Sequence, residues 1–86
     1  LERFFFLELY WMKFVELSGA VLMKLIRDDE IAEDDLKNSG VNDDSVVRIN
    51  EQGDIELRRT DGWDVIGGLL GDFRARIQKE TGMDWA

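Results

Sequence analysis

Apolar residues crowd the first third of the chain. Eighteen of the twenty-six residues from Leu1 to Ile26 are apolar, and on a wheel of about 100° per residue Glu2, Lys13, Glu16, Lys24 and Arg27 share one sector of about 80°. The pattern predicts an N-terminal apolar helix with a thin wet stripe. A helix buried on so much of its circumference needs more cover than the rest of so short a chain provides, and a second copy is the simplest supply. Phe5, Trp11, Phe14 and Leu22 are then the candidate interface residues, with an ordinary core role as the competing reading. Ser18-Gly19 is a weak point, because a glycine in a helix interior costs about 1 kcal/mol against alanine. Two shorter helices, or a strand at Lys13 to Leu17, are the alternatives.

Two short runs further on alternate with a period of two, Val46 to Asn50 and Asp54 to Arg59, joined by Glu51-Gln52-Gly53. They read as a β-hairpin. A three-residue loop built on a type I turn wants a left-handed third residue, which glycine supplies. With Gly53 there, Ile49 faces Ile55 and Val47 faces Leu57 on a buried side, and Arg48 faces Glu56 on a wet one.

After Asp61 the spacing becomes helical. Trp63, Ile66, Leu70, Phe73 and Ile77 form an apolar stripe, with Thr60 or Asp61 as cap and Gly82 as the stop. The stripe predicts a C-terminal amphipathic helix. Gly67, Gly68 and Gly71 disagree with it, since three interior glycines cost roughly 2 to 3 kcal/mol. Either another backbone approaches closely there, or the helix begins only near Asp72 and Trp63 to Leu70 is an irregular packed segment. Trp85 is expected to fold back onto the core.

Charge changes the picture in the middle. Residues 28–44 hold eight acids against one lysine, which is −7 of the chain's net −8. Within them Ile31, Ala32 and Leu36 predict one side of a short acidic helix, with Asp28 or Asp29 near its N-cap and Ser39-Gly40 as its end. The expected fold class is α+β, with residues 1–86 as one small domain whose helices pack on a two-stranded sheet. Leu1 opens the chain, and five of its nine aromatics precede Met12, so residues 1–11 read either as an upstream addition or as part of the apolar helix.

Composition removes much chemistry. Cysteine and histidine are both absent, which excludes disulfides, thiolate nucleophiles, zinc fingers and any imidazole base. The glycines match neither the Walker spacing nor GxGxxG, and the acids do not fit an EF-hand loop. No metal and no cofactor is expected. Charged residues interrupt the N-terminal stretch, whose longest charge-free run is only Leu17 to Met23, so no membrane span or signal peptide is expected and the protein is assigned to the cytoplasm. The negative field disfavours direct nucleic-acid binding and favours a basic protein as partner.

Two function classes remain ahead of an enzyme using Asp/Glu pairs. The first is a non-enzymatic interaction or structural module, a homodimer joined through its apolar N-terminal helix. The second is an acidic inhibitor or nucleic-acid mimic that presents Asp34, Asp35, Asp43 and Asp44 to a basic surface; against it stands a plain solvated face that keeps the chain soluble.

Overall fold

The hairpin organises the sheet. In the computed structural model, which describes residues 13–27 and 29–85, β2 (Val46–Asn50) and β3 (Asp54–Arg59) pair antiparallel with Val47 opposite Leu57, Arg48 opposite Glu56 and Ile49 opposite Ile55. This is the register expected from the sequence. Gly53 sits at φ 92°, and a Cβ added there would lie 2.9 Å from the Leu69 carbonyl oxygen, so both the turn and the packing behind it require glycine. Asn50 closes the turn: its Oδ1 accepts from the Gln52 and Asp54 amides, and its Nδ2 donates to the Asp54 carboxylate.

Among the described residues the sheet has four strands rather than two, in the order β1-β2-β3-β4. The first addition corrects the helix expected up to Ile26 and bears out, one residue along, the alternative of a strand at Lys13 to Leu17. Phe14–Ser18 is an antiparallel edge strand, β1, and the helical part is only Gly19–Leu25, α1. Val15 and Leu17 lie opposite Ile49 and Val47 in the core. On a helix those two residues would point apart, whereas a strand sends both inward. Ser18-Gly19, read as a break, is the junction between the two elements. Ser18 Oγ accepts from the Val21 amide as N-cap, and Gly19 is pressed against Asn42, whose carbonyl oxygen would lie 1.8 Å from an added Cβ. The remainder of the expected N-terminal helix, residues 1–12, lies outside the described residues.

The second addition corrects the long C-terminal helix. Gly62–Gly68 is β4, paired with β3, and the helix α3 spans Phe73–Thr81 with Asp72 at its N-cap, so the alternative start near Asp72 holds while the segment before it is a strand rather than irregular. Thr60 and Asp61 are the hairpin turn between these strands, not a helix cap. The glycines that disagreed with a helix fall in β4 and in the loop after it, where the helix penalty does not arise. A bulge opposite Ile55/Glu56 shifts the alternation. Trp63 and Val65 belong to the other face of the sheet and Ile66 packs beside the core, as alternation gives, and the bulge leaves Ile66 unpaired and brings Gly67 opposite Ile55. The stop at Gly82 is as expected, left-handed at φ 74°.

All three helices of the described residues cover one face. Each sends one wholly buried side chain into the core: Leu22 from α1, Leu36 from α2 (Glu33–Asn38) and Ile77 from α3. They meet Val47, Ile49, Ile55 and Leu57 from the sheet, each such burial stabilising by about 1.5 to 3 kcal/mol. The acidic helix starts at Glu33 rather than at Asp28 or Asp29, with Ala32 in the cap position, and ends at Ser39 with Gly40 beyond it. Trp85 folds back as expected. Its Nε1 donates to the Ile49 carbonyl at 2.9 Å, and its ring meets Phe73 edge-on with centroids 5.9 Å apart. The class is α+β, and among the described residues no helix is long and apolar enough to cross a membrane.

Candidate functional site

With the helices on one side, alternation places Phe14 and Glu16, Val46 and Arg48, Asp54, Glu56 and Arg58, and Trp63 and Val65 on the opposite, outer face. One side chain from every strand joins there. The Arg48 guanidinium lies 3.8 Å from the Phe14 ring centroid and 4.2 Å from that of Trp63, and its Nη2 donates to Glu56 Oε1 at 3.1 Å. Stacking between two rings and pairing to a carboxylate hold the guanidinium in a fixed plane. Val46 and Val65 flank this group and stay open to solvent, 43% and 63% exposed. No helix of the described residues covers them.

The four interface residues expected from the sequence separate. Phe14 reaches the outer face, but from a strand. Leu22 is wholly buried beneath the sheet, so its surface is already used inside the chain. Phe5 and Trp11 lie outside the described residues. Arg48, Trp63, Val46 and Val65 were not expected at a surface site. Arg48 is on the wet side that the hairpin register predicts, and the rings that stack on it come from the two strands whose spacing also fits a helix.

The acidic stretch also divides. Asp34, Asp35, Asp43 and Asp44 are all exposed, and none joins an ion pair among the described residues. Glu30 is different. Its side chain is 1% exposed and accepts from Arg76 Nη1 at 2.9 Å, Arg76 Nη2 at 2.6 Å, the Leu70 amide and the Arg27 amide. Burial pushes this carboxyl up, but the Arg76 hydrogen bond and the two backbone amides together outweigh it, so it is held below the usual carboxylate range. The Glu30 hydrogen bond in turn raises Arg76 further. Arg76 also donates to the carbonyls of Leu25 and Leu70, joining the end of α1 to the loop before α3. This pair is consumed within the fold.

A surface hollow of about 350 Å³ lies at the β3–β4 turn, lined by Arg59, Asp61, Gly62, Trp63 and Asp64. There Arg59 donates to the Asp64 carboxylate through Nε and Nη2, and Nη2 also reaches the Ser39 carbonyl, so these two nitrogens are engaged within the fold. Among the described residues no group of three or more acids is gathered in a way that could hold a metal ion. No protein-family model, no curated protein and no solved structure matches this chain.

Proposed function

We propose that the protein is a non-enzymatic protein-protein interaction module that self-associates in the cytoplasm, as a homodimer. The observation that supports this most is the outer sheet face, which no helix of the described residues covers and where Phe14 is stacked on Arg48 beside exposed Val46 and Val65. Phe14 also follows, after Lys13, directly on the apolar residues 1–12, so apolar surface and apolar sequence meet at one edge of the sheet. Contiguous apolar surface rimmed by polar groups marks association sites. Among the described residues the groups with displaced titration, Glu30 and Arg76, are hydrogen-bonded to each other and to backbone, which supports a structural rather than a catalytic role for them. Light scattering at micromolar concentration tests the reading: about twice the monomer mass is expected, and a clean monomer would sink it.

A second reading keeps one specific observation. The carboxylates of Asp34, Asp35, Asp43 and Asp44 are exposed and unpaired among the described residues, as an acidic inhibitor of a basic protein requires. Salt separates the two, since it weakens an electrostatic complex and leaves apolar association intact.

A further inference from the structure

Asp61-Gly62 is the single Asp-Gly step in the chain, and no Asn-Gly step accompanies it. That pairing has a covalent chemistry of its own. The backbone nitrogen that follows an aspartate is placed to close a five-membered ring on the side-chain carboxyl carbon, and a glycine there has no Cβ to crowd the approach. The fold leaves this step open. Both residues are exposed at the turn between β3 and β4, Gly62 stands at φ 141°, and a Cβ built on it would meet no atom within 4 Å. Arg59, the cation lining the same hollow, donates through Nε and Nη2 to Asp64, and the Asp61 carboxylate joins no ion pair among the described residues.

The turn also lies where opening costs least. Gly62 faces Arg59 at the last pair of the ladder, and β4 has a partner strand on one side only among the described residues. Exposed strand ends open locally at low free energy. Two further steps in the chain, Asn38-Ser39 and Asp44-Ser45, are held closed by comparison. The Ser39 amide donates to the Asp35 and Leu36 carbonyls at 3.0 and 3.1 Å, the Ser45 amide donates to the Asn42 carbonyl at 3.1 Å, and each serine carries a Cβ.

We propose that Asp61 is a site of spontaneous covalent modification, with water as the sole co-reactant and isoaspartate as the product. The Gly62 nitrogen bonds to Cγ of the Asp61 carboxylic acid, and the acid's hydroxyl leaves as water with the amide proton, giving a succinimide. Water then adds to either ring carbonyl. Breaking the bond from nitrogen to Cγ restores aspartate, whereas breaking the bond from nitrogen to the main-chain carbonyl carbon leaves the chain running through Cβ and Cγ. Nothing is oxidised or reduced, and the mass of the protein is unchanged. The product carries one more main-chain atom in a two-residue turn, which disturbs the pairing of Arg59 with Gly62.

Ageing the full chain for several weeks at physiological temperature and neutral pH tests it. Isoaspartate is read by methyl transfer from labelled S-adenosylmethionine, catalysed by a protein isoaspartyl methyltransferase, and located by tryptic mapping and fragmentation. The peptide from Thr60 to Arg74 should carry about tenfold or more the label of any other, one decade in rate. Asp61→Glu, which would need a six-membered ring, should abolish that label and leave the thermal midpoint near the parent's, because residue 61 is exposed. Label that persists in Asp61→Glu, or that is shared evenly among the other acids, would overturn the assignment. So would a parent that is labelled only after unfolding in urea, since the native turn would then hold Asp61 out of reach of the Gly62 nitrogen.

Discussion

The Arg76 guanidinium grips the Glu30 carboxylate at 2.6 and 2.9 Å across 46 residues of sequence, and the carboxylate is sealed from solvent. Removing one partner of such a pair leaves the other charge buried without compensation. Glu30→Ala should therefore cost about 3 kcal/mol, the low end for a broken buried pair because Arg76 keeps some exposure. Urea unfolding of the two proteins at neutral pH measures it. The same pair sets a pH dependence. Since the folded-state value of Glu30 is depressed, its stabilisation is complete above the ordinary glutamate value of about 4.3 and is lost as pH falls through the lower folded value. Stability of the parent should decline faster below that pH than stability of Glu30→Gln.

Gly53 and Gly19 are two positions where any side chain is costly. Gly53→Val forces a Cβ onto a left-handed residue and against Leu69 and Phe73, so a loss of roughly 2 kcal/mol or more is expected. Gly19→Ala meets the Asn42 backbone at a distance no side chain tolerates, and should lower the thermal midpoint at least as far. Unchanged midpoints would mean that the hairpin turn and the strand-helix junction are misplaced.

Trp85 contributes both area and a hydrogen bond. Trp85→Phe keeps most of the packing on Phe73 but leaves the Ile49 carbonyl, in the middle of the sheet, without its indole donor. About 1 to 2 kcal/mol should be lost, measured by denaturant titration. A neutral result would place the tail off the core in solution.

Replacing Asp34, Asp35, Asp43 and Asp44 by Asn changes the net charge from −8 to −4. These exposed groups repel one another and make no ion pair among the described residues, so stability should hold or rise by a few tenths of a kcal/mol while solubility near neutral pH falls. The contrast with Glu30→Ala is the sharper comparison, because all five acids come from the same stretch of sequence.

What the sequence made legible was what is local. The β2–β3 hairpin could be read because turn, register and charge pairing lie within a few residues of one another and agree. The strand at Phe14–Ser18 is legible only as an alternative, Lys13 to Leu17, because its partner is remote and the apolar residues around it fit a wheel equally well. Trp63, Ile66, Leu70, Phe73 and Ile77 kept helical spacing by coincidence. An Asp61-Gly62 step after Arg59, itself a hairpin signal, was the competing evidence, and the three glycines were its second half. With β1 and β4 misread, neither ring that stacks on Arg48 could be placed on the outer face. Glu30 and Arg76 carry no local mark at all. An acid in an acidic run is indistinguishable by pattern from its exposed neighbours until the chain returns to it.

The order of the strands has a kinetic consequence. β2, β3 and β4 follow one another through the short turns at 51–53 and 60–61, whereas β1 joins β2 only after the long 19–45 connection has closed. Closing a long loop costs entropy before its contacts repay it, so the three-strand meander is the natural folding nucleus, with β1, the acidic helix and the Glu30-Arg76 bond added late. Substitutions at Ile55 or Leu57 should then slow refolding. Those at Glu30 should leave refolding nearly unchanged in stopped-flow traces and appear instead as faster unfolding, so this ion pair would lengthen the life of the folded chain rather than hasten its formation.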